Sequence, residues 1–171
     1  MRFEENIHTA DLPESAVLLV EDNEEDIVLL RRAFRNADVA NRVVEVRDGQ
    51  AAIQYLSGDA DYADRARYPI PFLILLDLRL PKLSGFEVLA WIRDQPELAG
   101  LIIVVLTGSE QVLDITKAHD LGANSYLVKP GDFNELVEMV KGIKGHWLLV
   151  DRPDEPAASK GAPRQNASND H

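Results

Sequence analysis

Five short apolar segments recur along the chain, and each is rich in valine, leucine or isoleucine. They are Val17–Val20, Val43–Val46, Phe72–Leu76, Leu101–Leu106 and Tyr126–Val128. Polar residues alternate little with apolar ones inside these segments, as is typical of strands covered on both faces. Because parallel sheets are buried in this way beneath helices, the pattern predicts five parallel strands.

The segments between these strands place apolar residues at helical spacing. Examples are Ile27, Leu30 and Phe34, and later Leu136, Val140 and Ile143. Two helix starts carry capping pairs, Ser84 with Glu87 and Asp132 with Glu135. Strands that alternate with helices through right-handed crossovers predict an α/β fold, a flavodoxin-like doubly wound (βα)5 parallel sheet with strand order 2-1-3-4-5.

The pattern also sets the expected boundaries of the domain. We expect an N-terminal extension over residues 1–14, one domain over residues 15–150 and a disordered tail over residues 151–171, which is rich in Pro, Ala, Ser, Asn and charge. Trp147 and Leu148–Val150 give the domain an apolar C-terminal extension. Such an extension covers either the core of its own chain or the surface of a partner, and the second alternative predicts a homodimer.

Composition narrows the function. The formal net charge of −11 argues against a nucleic-acid partner, because such binding requires Lys and Arg to neutralise phosphates. No apolar run approaches the ~20 residues of a membrane helix, so a membrane partner is not expected. The first residues do not resemble a leader, so export is not expected and the predicted location is cytoplasmic. The absence of cysteine excludes disulfides and thiolate metal sites.

Acidic residues follow the first and third predicted strands. Glu21 and Asp22 come after the first, and Asp77 closes the most apolar run of the chain. Ligands of doubly wound sheets bind outside the carboxyl ends of the strands, and hard oxygen ligands gathered there suit magnesium. Glu21 and Asp22 are alternatively an acidic turn that leads into the first helix. Asp77 is harder to explain in that way, because an unpaired carboxylate beside an apolar strand is costly.

A hydroxyl and an ammonium follow the remaining strand ends. Thr107 comes after the fourth strand and Lys129 after the fifth. An ammonium suits a phosphoryl oxygen as a point charge, and a hydroxyl donates to another. Each of these residues alone is commonly a cap or a solvated charge, so the prediction of phosphate chemistry depends on the set.

The ordered set of motifs resembles the receiver domains of response regulators in two-component signalling. The motifs are Val20-Glu21-Asp22-Asn23, Leu76-Asp77-Leu78-Arg79-Leu80-Pro81 with Gly85, Leu106-Thr107-Gly108 and Tyr126-Leu127-Val128-Lys129-Pro130. The resemblance covers roughly Ala16 to Ile143. It implies a phosphoacceptor signalling domain, not an enzyme in the usual sense, with a sensor histidine kinase as its partner.

The resemblance also implies residue roles. Asp77 is similar to the phosphoacceptor, and Asp22, Asp77 and the backbone carbonyl of Arg79 to the ligands of a Mg²⁺ or Mn²⁺ ion that Glu21 contacts through water. The family commonly has aspartate where this chain has Glu21. Thr107 is similar to the switch hydroxyl. Lys129 is similar to the ammonium that contacts the phosphoryl group, and Tyr126 to the aromatic residue whose side chain moves with it.

Three alternatives remain at this point. A hydrolase of the haloacid-dehalogenase kind has a second acid two positions after its strand-end aspartate, where this chain has Arg79. A nucleotide- or flavin-binding protein needs a phosphate loop, whereas the acidic first loop here repels phosphate. The third alternative is a receiver fold that is never phosphorylated and serves as a binding module.

The long polar connection Ser57 to Pro71 and the apolar ending resemble a narrower group. This group comprises the stand-alone regulators that partner bacterial and cyanobacterial phytochromes. The narrower resemblance implies a phytochrome-type kinase as the partner and output through protein contacts.

Overall fold

The computed structural model describes residues 16–148, which form five strands and five α-helices. The strands are β1 (Val17–Val20), β2 (Val43–Val46), β3 (Leu73–Leu76), β4 (Ile102–Thr107) and β5 (Ser125–Val128). The helices are α1 (Glu24–Asn36), α2 (Gly49–Ser57), α3 (Gly85–Arg93), α4 (Val112–Asp120) and α5 (Phe133–Ile143). Short 3₁₀ turns lie at Ala60–Tyr62 and Pro96–Leu98, and a π-helical turn, Lys144–Leu148, follows α5.

All five strands are parallel and lie in the order β2-β1-β3-β4-β5, which confirms the predicted topology. The strand bounds differ from the prediction by one residue at several ends. Thr107, which the sequence placed just beyond the fourth strand, belongs to β4 because its backbone pairs with Val128. Phe72 and Leu101 precede their strands.

Two helical layers cover the sheet. The odd-numbered residues of β1 and β3 face α1 and α5, whereas the even-numbered ones face α2 and α3. The residues of both strands are therefore buried whichever way they point. This double burial explains why hydrophobic residues do not alternate with polar ones along these strands.

Both predicted N-caps form, and the first of them is a full capping box. At the start of α3, Ser84 and Glu87 form the predicted capping box. At the start of α5, the side chain of Asp132 accepts a hydrogen bond from the amide of Asn134 at 2.8 Å. This cap therefore uses the amide two residues after Asp132, and not the predicted pairing with Glu135.

The polar connection before β3 is folded against the end of α2. The rings of Tyr55, Tyr62 and Tyr68 lie 5.2–6.0 Å apart, and the Arg65 guanidinium donates to the carbonyl oxygens of Tyr55 and Leu56. Arg65 thus donates to two carbonyl groups of the last helical turn, of which that of Tyr55 also accepts from the Gly58 amide.

The apolar ending begins within the fold. Trp147 packs partly against the core between α1 and α5, which is the within-chain alternative for this residue. Residues 149–150, the predicted N-terminal extension (1–14) and the predicted disordered tail (151–171) lie outside the described residues. Over residues 16–148, no helix has the length and apolar character needed to cross a membrane.

Candidate functional site

The carboxyl ends of β1 and β3 lie side by side. Val20 pairs with Leu76 across the two strands, so the next residues, Glu21 and Asp77, leave the sheet together. The amide of Asp77 donates to the carbonyl oxygen of Val20 at 3.1 Å. The sheet register therefore brings together two acids that are 56 residues apart in sequence.

Three carboxylates meet at this edge. Oxygen atoms of Glu21, Asp22 and Asp77 lie within 4.8 Å of one another. Glu21 and Asp77 are buried, with 1% and 7% of their surface exposed, whereas Asp22 is exposed. Two buried acids that face each other require a cation. A donor set made only of oxygens, with one member open to solvent, fits Mg²⁺ or Mn²⁺.

Lys129 reaches this group from β5. Its amide donates to the carbonyl oxygen of Thr107 at 2.8 Å, which fixes the backbone beyond the strand end. Its ammonium Nζ then lies 2.5 Å from Glu21, 2.9 Å from Asp26 and 3.2 Å from Asp77. One partly buried cation therefore serves three carboxylates, and Asp77 is the most distant of them.

Burial and neighbouring charged groups change the pKa values of Glu21 and Lys129. Burial raises the pKa of Glu21 to about 7, and the negative charge of Asp77 adds to this rise, against the hydrogen bond from Lys129. Burial alone would lower the pKa of Lys129, but hydrogen bonds to Asp26 and Glu21 raise it above its ordinary value. The ammonium is therefore charged at neutral pH, whereas Glu21 titrates near neutrality.

The loop after β3 is tightly packed around Asp77. The amide of Arg79 donates to an Asp77 carboxylate oxygen at 3.3 Å, and the amide of Gly85 donates to the Leu78 carbonyl at 2.9 Å. A Cβ atom at Gly85 would lie 2.1 Å from the backbone oxygen of Asp77. Only glycine permits the start of α3 to come this close to the strand end.

A second set of hydrogen bonds surrounds Thr107 and the start of α4. Thr107 is buried, and its hydroxyl accepts from the amide of Ser109 at 3.5 Å. The Ser109 hydroxyl donates to Asp114 at 2.5 Å, and the Tyr126 hydroxyl donates to the Ser109 carbonyl oxygen at 2.8 Å. Ser109 thus links the end of β4 to both α4 and Tyr126.

Sequence reasoning gave no role to two acids of the site, Asp26 and Asp114. The structure brings Glu21, Asp22, Asp77 and Lys129 together as predicted, but it adds Asp26 to the partners of Lys129 and Asp114 to those of Ser109. The sequence did carry one signal. Asn23 caps α1, and Asp26 follows it by three residues, which places its carboxylate in the first turn beside the strand ends.

Comparison with known proteins identifies the family. The model of the response regulator receiver domain matches residues 17–141. This chain belongs to that family. Receiver domains are signalling domains of two-component systems, and the match spans all five strands and the acidic edge of the sheet.

Individual relatives extend the comparison. The receiver domain is 40% identical over 141 residues to FilR2 of Methanothrix harundinacea, a probable methanogenesis regulatory protein, with 82% of this chain and 88% of FilR2 covered. It is 38% identical over 136 residues to the response regulator Rcp1 of Synechocystis, with 80% of this chain and 90% of Rcp1 covered.

Solved structures show the same architecture. The phosphorylated cyanobacterial phytochrome response regulator RcpA is 43% identical with a TM-score of 0.73, covering 79% of this chain and 94% of RcpA. The Mn²⁺-bound form of Rcp1 is 37% identical with a TM-score of 0.72, covering 84% of this chain and 99% of Rcp1.

Proposed function

We propose that this receiver domain accepts a phosphoryl group from a sensor histidine kinase on Asp77 and signals through protein contacts. The observation that carries the proposal is the position of Asp77. It is a buried carboxylate that lies beside two further acids and within 3.2 Å of an ammonium. A nucleophile so placed has positive charge at hand for the phosphoryl oxygens.

A divalent cation belongs to this proposal. We infer that Glu21, Asp22 and Asp77, with the backbone carbonyl of Arg79, hold Mg²⁺ or Mn²⁺ directly or through water. The Mn²⁺-bound form of Rcp1 supports this inference. When bound, the cation supplies positive charge that screens the acids from the phosphoryl oxygens.

The proposed transfer moves the phosphoryl group from a kinase histidine to Asp77. An Asp77 oxygen attacks the phosphorus of a kinase phosphohistidine, and the O–P bond forms as the N–P bond breaks. The electron pair stays on the imidazole nitrogen, which takes a proton from solvent. Lys129 and the Thr107 hydroxyl contact phosphoryl oxygens. Water later attacks the phosphorus, restores the carboxylate and releases inorganic phosphate.

The signal then reaches the face formed by α4 and β5. A phosphoryl group carries roughly −1.5 to −2 charges, which attracts Thr107 and Lys129. Movement of Thr107 disturbs Ser109, and with it the hydrogen bond that holds the Tyr126 hydroxyl. Val112 and Leu113, which are 74% and 81% exposed, lie at the start of α4 and give this face apolar contact area.

The first test is chemical modification of the protein. Wild type and Asp77→Asn are incubated with acetyl phosphate or beryllium fluoride, with and without Mg²⁺, while intact mass and tryptophan fluorescence are followed. We expect Mg²⁺-dependent modification that is lost in Asp77→Asn. Asp94→Asn, at an exposed position at the far end of α3, is the matched control and retains it. Absence of modification in the wild type would instead support the unphosphorylated binding module.

The kinase is proposed to be of the phytochrome type. RcpA, a cyanobacterial phytochrome response regulator, supports this partner, whereas FilR2 is a probable methanogenesis regulatory protein, so the relatives do not share one signal. Phosphotransfer from a purified phytochrome kinase is compared with transfer from a kinase of another class. Transfer from the second alone would overturn the assignment. A cytoplasmic location follows from this partnership.

We also propose a homodimer. The supporting features are the half of Trp147 that its own core leaves uncovered and the apolar residues Leu149 and Val150 that follow in the sequence. Light scattering at tens of micromolar is expected to give twice the mass of the chain. A monomer in both phosphorylation states would remove the proposal.

A further inference from the structure

Lys129 has a partner outside the three-carboxylate group, which consists of Glu21, Asp22 and Asp77. Two of its acceptors, Glu21 and Asp77, are members of the group whose oxygens lie within 4.8 Å of one another. The third, Asp26, lies on α1 and accepts from the ammonium at 2.9 Å. Asp26 is therefore placed to hold the cationic side chain independently of the acids that would face a metal.

The position of Asp26 is itself fixed. Asn23 caps α1, and its side-chain oxygen accepts from the amide of Asp26 at 3.0 Å. The side chain of Asp26 is 33% exposed, against 2% for Glu21 and 9% for Asp77. A carboxylate in a capped first turn that is partly open to water loses little solvation, so its hydrogen bond to the ammonium carries a small desolvation cost.

A metal ion at this site would compete with Lys129 for its acceptors. A divalent ion held by Glu21, Asp22 and Asp77 would draw on two of the carboxylates that accept from Lys129. A lysine has three donors on a flexible stem, and an ammonium that lost Glu21 and Asp77 as acceptors would gain freedom to leave. Asp26 lies outside the three-carboxylate group and remains available.

We propose that Asp26 is a positioning residue that holds the Lys129 ammonium beside Asp77, ready for the incoming phosphoryl group. This inference rests on the proposed phosphorylation of Asp77 and deepens it. Asp26 touches no reacting atom in this role. It acts through Lys129, one of whose three donors it occupies while the others stay free for phosphoryl oxygens.

The test compares Asp26→Asn with Glu25→Gln in the full chain. Glu25 is an exposed acid in the same helical turn, so its substitution removes the same charge without touching Lys129. We expect the rate of Mg²⁺-dependent modification by acetyl phosphate to fall roughly tenfold in Asp26→Asn, as loss of a charge-assisted hydrogen bond allows. Glu25→Gln is expected to stay close to wild type, and both variants to bind Mg²⁺ similarly by tryptophan fluorescence.

A double-mutant cycle separates positioning from a general charge effect. In a Lys129→Met background, Asp26→Asn is expected to cause no further loss, because its effect passes through the ammonium. Asp26→Glu, which restores a carboxylate, is expected to recover part of the rate. Should Asp26→Asn unfold, Asp26→Ser at this partly exposed position takes its place in every comparison.

Failure of the Asp26 role and failure of the proposed phosphorylation of Asp77 give different results. If the wild type is modified and Asp26→Asn matches Glu25→Gln, the positioning role is wrong and the phosphoacceptor stands. If Asp26→Asn is faster than the wild type, Asp26 restrains Lys129, which also overturns the inference. If the wild type itself is never modified, the proposed function fails and the positioning role fails with it.

Discussion

Glu21 is one methylene longer than the aspartate that is common at this position of the family. The extra length lets one of its oxygens accept from the amide of Asn23 at 3.1 Å while the other meets Lys129. The side chain is nevertheless buried, and burial raises its pKa to about 7. Glu21 is therefore an acid whose charge changes across the physiological pH range.

The raised pKa of Glu21 predicts pH-dependent metal binding. Below pH 7 the carboxyl holds a proton, which competes with the cation, so the Mg²⁺-induced rise in Tm is expected to be smaller at pH 6 than at pH 8. Thermal unfolding in Mg²⁺ and in EDTA measures this difference. Glu21→Gln, which does not titrate, is the control and is expected to show a much flatter pH dependence.

In the metal-free protein, the pH dependence of stability that Glu21 causes has the opposite sign. A carboxyl whose folded pKa lies above its ordinary value of 4.5 contributes stability fully below pH 4.5 and loses it as pH rises through 7. In EDTA, we expect the free energy of unfolding of the wild type to fall relative to Glu21→Gln between pH 5 and pH 8. Parallel curves would show that Glu21 does not titrate in this range.

Lys129 is predicted to stabilise the metal-free fold. Lys129→Met leaves Glu21 and Asp77 buried together without their cation, which we expect to cost about 3 kcal/mol of unfolding free energy in EDTA. Added Mg²⁺ recovers part of this loss. The control is Lys141→Met, whose partner Glu138 is exposed, with an expected change under about 0.5 kcal/mol. Equal losses in urea unfolding would contradict the prediction.

At the scale of elements, the site depends on how closely α3 approaches the end of β3. The start of the helix lies against the loop that carries Asp77, and the capping box of Ser84 and Glu87 fixes where the helix begins. Gly85 allows the contact because any side chain there would meet the backbone of Asp77 and Leu78. The same loop presents the amide of Arg79 to the Asp77 carboxylate.

Gly85→Ala is expected to damage both fold and site. Its Cβ would lie 2.1 Å from a backbone oxygen, so the helix must shift, and we expect a loss of at least about 2 kcal/mol with slower modification of Asp77. Gly142→Ala is the control, because a Cβ in this part of α5 meets nothing within 4 Å and is expected to add up to about 1 kcal/mol. Urea unfolding of both variants decides the matter.

At the scale of the whole molecule, the chain carries a formal net charge of −11, and a group of its acids converges on one sheet edge. Self-repulsion of this kind is screened by any salt, whereas a metal site responds to one cation. Stabilisation by Mg²⁺ is therefore separable from a general salt effect.

We expect millimolar Mg²⁺ to raise Tm more than NaCl at equal ionic strength. The reason is that binding to the folded state alone stabilises it by mass action. Differential scanning calorimetry measures the shift. Asp22→Asn removes the exposed member of the three-carboxylate group and is expected to lower the excess shift. An identical response to both salts would reduce the effect to screening.

The sequence by itself determined the topology and most of the site. Short apolar runs without alternation are typical of strands between two helical layers, so the runs beginning at Val17 and Phe72 already predicted a covered parallel sheet. Parallel strands gather their carboxyl ends at one edge, and for this reason Glu21, Asp77 and Lys129 were predictable as neighbours. Their residue types then favoured a hard cation and predicted phosphate chemistry.

Only the tertiary structure decided which side chains touch. The helical position of Asp26 does not reveal that Lys129 comes within 2.9 Å of it, because the two are 103 residues apart. The link from Ser109 to Asp114 and Tyr126 likewise depends on how α4 and β5 pack. The periodicity of apolar residues indicates which face of a helix or strand is buried. Side-chain contacts depend instead on the distances between elements, which local sequence does not encode. The raised pKa of Glu21 has the same origin, because packing of the elements buries its carboxyl group.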